Sequence, residues 1–180
     1  MKRTFALVIA LLCLISITSC TNHKNPSSPL ALKQPSLTVS EISGSIEAMK
    51  LSYLIIEQSY SSSNTFLSGT QSALKSHYKA PVLNITPTNT SSQPPFDAFL
   101  IFDVAPDEVR VRCWESNVLD DADAENKAET IAATKDLEGN FVVKLKSGEY
   151  LYEVLANWNT NAEFVGQGFY TFKSSSADPK

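Results

Sequence analysis

The chain has 180 residues and a formal net charge of −4 at pH 7, one domain's worth, and long enough to bury roughly two-thirds of its unfolded surface in a core without staples. Its 15 basic and 19 acidic residues are interspersed, which argues against a nucleic-acid partner and offers no polybasic segment to a membrane. Two histidines and three cysteines leave little material for a metal centre or a disulfide framework.

Lys2 and Arg3 place positive charge at the start, Phe5 to Ile15 is apolar without a break, and Ser16, Thr18 and Ser19 make a small, polar exit. That order of regions is the pattern of a secretory signal, and the run is too short for a spanning helix of about 20 residues. The exit reads Ile17-Thr18-Ser19-Cys20, which resembles the lipobox of bacterial lipoproteins. The resemblance implies that residues 1–19 are a signal peptide cut before Cys20. It also implies that Cys20 carries an S-diacylglycerol group and an N-acyl chain, palmitate being typical. Two acyl chains at one residue anchor a protein stably where a single chain does not. The expected location is the extracytoplasmic side of the cell membrane, and the membrane itself is the first expected partner. Losing Lys2 and Arg3 would move the net charge from −4 to −6, so anchoring would depend on the lipid. Cys13 leaves with the signal and Cys20 takes the lipid, so Cys113 remains alone and no intramolecular disulfide is expected.

Residues 20–36 contain Pro26, Pro29 and Pro35 among Ser, Asn and Lys and read as a semi-rigid, lipid-anchored tether. The folded domain is expected over 37–175, with a polar tail at 176–180. "LTVSEIS" alternates from Leu37, imperfectly, because Glu41 falls on the apolar face. Ile46 to Glu57 fits helix by spacing and strand by composition, and the strand is preferred. "TQSALKSHYK", 70–79, reads as a short helix ended by Pro81, and "APVLNITP" as a strand.

From Phe96 the alternation is plain. Phe96, Ala98, Leu100, Phe102 and Val104 share one face, then Ala105-Pro106-Asp107-Glu108 turns the chain. Val109, Val111 and Cys113 next oppose Arg110, Arg112 and Trp114, and the two runs read as a hairpin. Phe141, Val143 and Leu145 alternate, Lys146-Ser147-Gly148 turns, and Tyr150 to Trp158 forms a long strand. "EFVGQGFYTF" closes the set, with Gly166 and Gly168 inviting a bulge or a close approach. The fold expected is mainly β, an antiparallel β-sandwich with one or two short helices, immunoglobulin-like connectivity being one form it can take. The segment from "GEYLYEVLANW" to "GQGFYTF" resembles the last hairpin of small uncharacterised lipoproteins of Bacillus-type bacteria, which carry no activity to transfer.

Chemistry is sparse. His23 lies in the tether and His77 in a polar helix, where a solvated surface histidine is the ordinary state, and no G-x-S-x-G turn supports a hydrolase. Asp121, Asp123 and Glu125 have the spacing of a calcium loop, but Asn126 replaces the turn glycine and Ala132 the closing glutamate. Only a looser cation site is left open there. Cys113 is expected buried and inert. An outward Trp114 beside Arg110 and Arg112 would compose a surface binding patch, set against the alternative that Trp114 packs on the other sheet or under a loop. No catalytic residues, metal ligands or cofactors are assigned. The reading is a lipid-anchored envelope binding or interaction module for a protein or small ligand, with an extracytoplasmic hydrolase or a structural, protective factor as alternatives.

Overall fold

The computed structural model describes residues 34–58, 63–68, 72–86, 94–160 and 164–176. The signal region, Cys20, His23 and most of the expected tether lie outside them. No helix among the described residues is long and apolar enough to cross a membrane.

Two β-sheets face each other. The smaller sheet takes β1 (Leu37–Glu41), β2 (Gly44–Glu47), β6 (Phe96–Phe102), β9 (Ala133–Lys135) and β10 (Phe141–Leu145) in the order β2-β1-β6-β10-β9. The larger takes β3 (Met49–Gln58), β4 (Ser63–Ser68), β7 (Glu108–Glu115), β8 (Glu129–Ile131), β11 (Glu149–Trp158) and β12 (Phe164–Ser176) in the order β4-β3-β12-β11-β7-β8. A further strand, β5 (Val82–Ile85), runs parallel to the end of β12, an exception to the antiparallel arrangement expected. The α-helix among the described residues, α1 (Ala73–Ser76), is capped by the Ser72 side chain and continues as a 3-10 turn at His77–Lys79.

Alternation explains the core. Leu37, Val39, Phe96, Ala98, Leu100, Val143 and Leu145 point inward from the smaller sheet, and Val111, Cys113, Tyr152, Val154, Ala156, Trp158, Tyr170 and Phe172 from the larger. Phe102 meets Trp158 and Tyr170 edge-on at 6.2 and 5.7 Å, joining the layers, while Tyr152 stacks on Phe172 at 4.9 Å. Glu41 is buried as the pattern required, its carboxylate accepting from the Ser43 N–H at 2.7 Å in the turn before β2.

Ile46 to Glu57 is strand, as preferred, divided between β2 and β3. The short helix falls within 70–79 as expected. The hairpin expected between Phe96 and Trp114 is not formed: β6 and β7 belong to opposite sheets, and the turn around buried Pro106 carries the chain across the sandwich. Alternation fixes which side of a strand is buried, but a strand crossing to the facing sheet buries the same residues as one folding back beside its neighbour. Asp107 secures this crossing, its carboxylate accepting from the backbone N–H groups of Asn159 and Thr160 and from the Thr160 hydroxyl.

The expected tether end also belongs to the fold. Gln34 and Pro35 are buried, Tyr170 donates its hydroxyl to the Pro35 carbonyl at 2.8 Å, and the Lys50 ammonium donates to the Gln34 carbonyl at 2.8 Å. Gln34 donates in turn to the Phe169 carbonyl. This segment sits against Gly168, where a Cβ would lie 3.0 Å from Gln34 Nε2, 3.2 Å from Tyr170 Oη and 3.3 Å from the Trp158 ring. The close approach expected at this glycine is present, and the register of β12 against β3 shifts between Gly168 and Tyr170. At the other end, Ser176 is buried and accepts from the Gly148 N–H, so the last strand reaches one residue into the expected tail.

Candidate functional site

The outward face of the larger sheet is read most easily in rows across β7, β11 and β12. Trp114, Leu151 and Lys173 form one row, Arg112, Glu153 and Thr171 the next, and Arg110, Leu155 and Phe169 the third. Two covers lie over the first row: α1 with Ala80, and the segment 116–128, which follows β7. Leu51, Trp114 and Leu151 of the sheet pack there against Ala73, Ala80 and Leu119, with Leu74, Val118, Ala128 and Phe169 at the margin. The result is a second, smaller core on the outside of the sandwich.

Trp114 belongs to that core and is 1% exposed, so the patch expected of Arg110, Arg112 and Trp114 does not exist as an exposed tryptophan beside arginines. The ring packs beneath segment 116–128 and donates its indole N–H to the Ala124 carbonyl at 2.9 Å. An indole gains more by burying its rings and satisfying one donor than by standing in water. A sign of this lies in the acidic stretch itself, where Val118, Leu119, Ala124 and Ala128 recur among the carboxylates and need a surface to cover.

Arg112 is the hinge between covered and open surface. Its guanidinium lies 5.0 Å over the Trp114 ring, donates Nε and Nη2 to one oxygen of Glu153 at 3.1 and 2.7 Å, and donates Nη1 to Glu125 at 2.5 Å. Glu153 is buried, and its other oxygen accepts from the Ala73 N–H at the start of α1. One ion-paired cluster thus fastens both covers to the sheet, Glu125 standing on one and Ala73 on the other. Burial by itself would lower the Arg112 pKa, but its hydrogen bonds to Glu153 and Glu125 outweigh that and raise it.

Among the described residues, the covers stop beyond Arg112. Arg110, Arg112, Thr130, Glu153, Leu155 and Phe169 line a groove of about 280 Å³ there, close to the lower limit of small-molecule sites, about 300 Å³. Leu155 and Phe169 are directly paired across β11 and β12, and Leu155 faces Arg110 across β11 and β7, so the floor is apolar and one wall is guanidinium.

The other residues singled out lie elsewhere. His77 is partly buried rather than solvated: its Nδ1 is 2.6 Å from the Leu74 carbonyl, and its Nε2 faces Asp120 at 3.7 Å. Asp121 and Asp123 both pair with Lys127 while Glu125 turns to Arg112, and among the described residues no three metal-ligating side chains converge. Cys113 is buried as expected, and burial pushes its thiol up to about 11. No family model, curated protein or solved structure matches this chain.

Proposed function

We propose that the chain is a lipid-anchored extracytoplasmic binding module: Cys20 holds it to the cell membrane through S-diacylglycerol and N-acyl groups, and the groove beside Arg112 takes the ligand. The lipobox-like Ile17-Thr18-Ser19-Cys20 supports the anchoring. The observation that carries the binding role is the groove, an apolar floor left open beside a fixed guanidinium on a face whose other end has its own cover. Besides fastening the two covers, a cation already held by a buried carboxylate suits a recognition site, because little side-chain entropy is lost on binding.

Purification of the full chain from its own membranes, followed by mass spectrometry of the small molecules it retains, tests the binding role. A compound retained by the natural chain and lost from a Leu155→Asp variant is the expected result. Identical profiles from the two would contradict a binding role for the groove.

A further inference from the structure

We propose that the groove takes a small organic acid, with its carboxylate on Arg110 and Arg112 and its apolar body on Leu155 and Phe169. This rests on the binding-module reading and adds the class of ligand.

The hydrogen-bonding inventory of the groove carries the inference. Arg110 donates Nε to Glu108 at 2.7 Å and is 67% exposed; among the described residues its two terminal nitrogens have no partner. Arg112 places Nε and Nη2 on Glu153 and Nη1 on Glu125. A guanidinium has five N–H groups, so, among the described residues, each terminal nitrogen of Arg112 retains one without a partner. On the acceptor side, Glu153 is already engaged by Arg112 and by Ala73. The rim therefore holds hydrogen-bond donors in excess of acceptors. Such a rim is completed by an acceptor-rich group, and a carboxylate matches the planar fork of arginine better than any neutral oxygen.

Three further features narrow the class. Arg110 and Arg112 are alternate residues of β7 on one face, a separation one carboxylate bridges when the long, exposed Arg110 side chain folds towards it. Glu108 and Glu125, each paired with one of these arginines from outside the lining, bring the cluster to two cations against three carboxylates, so recognition depends on short-range hydrogen bonds and on the apolar floor rather than on net charge. The volume of about 280 Å³ suits a small acid better than several residues of a peptide.

The test is calorimetric titration of the full chain in lipid nanodiscs, with empty nanodiscs as blank. The probes are 3-phenylpropionate, its alcohol 3-phenylpropanol and its amine 3-phenylpropylamine. The acid should bind about tenfold more tightly than the alcohol, as a charge-assisted bidentate contact allows, and Arg110→Gln should remove most of that advantage. Equal binding of acid and alcohol, tighter binding of the amine, or binding of none of the three would overturn the inference. Tighter binding of an N-acetylated tripeptide ending in phenylalanine would overturn it in favour of a chain terminus. If no acid preference appears while the membrane-purified chain still retains a groove-dependent compound, the ligand class is wrong and the binding module stands.

Discussion

Arg112 of β7 and Glu153 of β11 stand directly opposite each other in register and are joined through two hydrogen bonds to a single carboxylate oxygen. Glu153 is the one charged side chain in the strand "EYLYEVLANW" after its first residue, and it is buried. A buried carboxylate without a partner is costly, while the pair's net contribution is modest. Glu153→Leu should therefore destabilise the protein by about 2 kcal/mol, because Arg112 and the Ala73 N–H both lose their acceptor. Combining it with Arg112→Met should cost less than the sum of the two single changes by about 1 kcal/mol. Urea unfolding of the four-member cycle checks this. Additivity within about 0.5 kcal/mol would mean the two residues act independently.

Alkaline pH should loosen the core from a known direction. Burial raises the Cys113 thiol from 9.0 to about 11 and the Tyr152 phenol from 10.0 to about 12. The folded state holds these protons more tightly than the unfolded chain does. The stability they contribute is thus complete below about pH 9 and is lost as pH rises through about 11 and then 12. Thermal midpoints measured across this range should fall, and Cys113→Ala should flatten the first part of the decline. Thiol reagents should modify Cys113 slowly near pH 8 in the folded protein. Rapid modification there would contradict its burial.

Gly168 is required by a crowded site rather than by its backbone angles. Gly168→Ala would press a methyl group against Tyr170, the Trp158 ring and Gln34, and overpacking of this kind costs about 1–3 kcal/mol. Gln34 is the most yielding of the three neighbours, so Gln34→Ala should recover part of the loss in the double variant. No recovery would mean that residues 34–36 do not bear on β12.

Much of the sandwich was legible because Phe96–Leu100, Val109–Cys113, Phe141–Leu145 and Tyr152–Trp158 alternate cleanly, and alternation is what a half-buried strand requires. Which sheet each strand joins was not legible: the crossing at Pro106 has the composition of an ordinary turn. Strands β8 and β9 were missed because Glu129–Lys135 mixes polar and small residues on both sides and changes sheets at Ala132, so neither short piece has a pattern of its own. Of the candidate site, Arg110 and Arg112 were legible from their alternation with valines. The burial of Trp114 depends on covers supplied by segment 116–128 and by the distant α1 with Ala80, and the role of Glu153 on a partner 41 positions away. Local periodicity cannot carry such information.

The central claim is that this domain is held at the membrane by lipid on Cys20. Metabolic labelling of producing cells with an alkyne palmitate, for the natural chain and for Cys20→Ala, tests it most directly. The natural chain should be labelled, shortened by its first 19 residues and recovered with membranes, and Cys20→Ala should be unlabelled and unprocessed. Labelling and cleavage of the Cys20→Ala chain, or an unlabelled natural chain, would contradict the account.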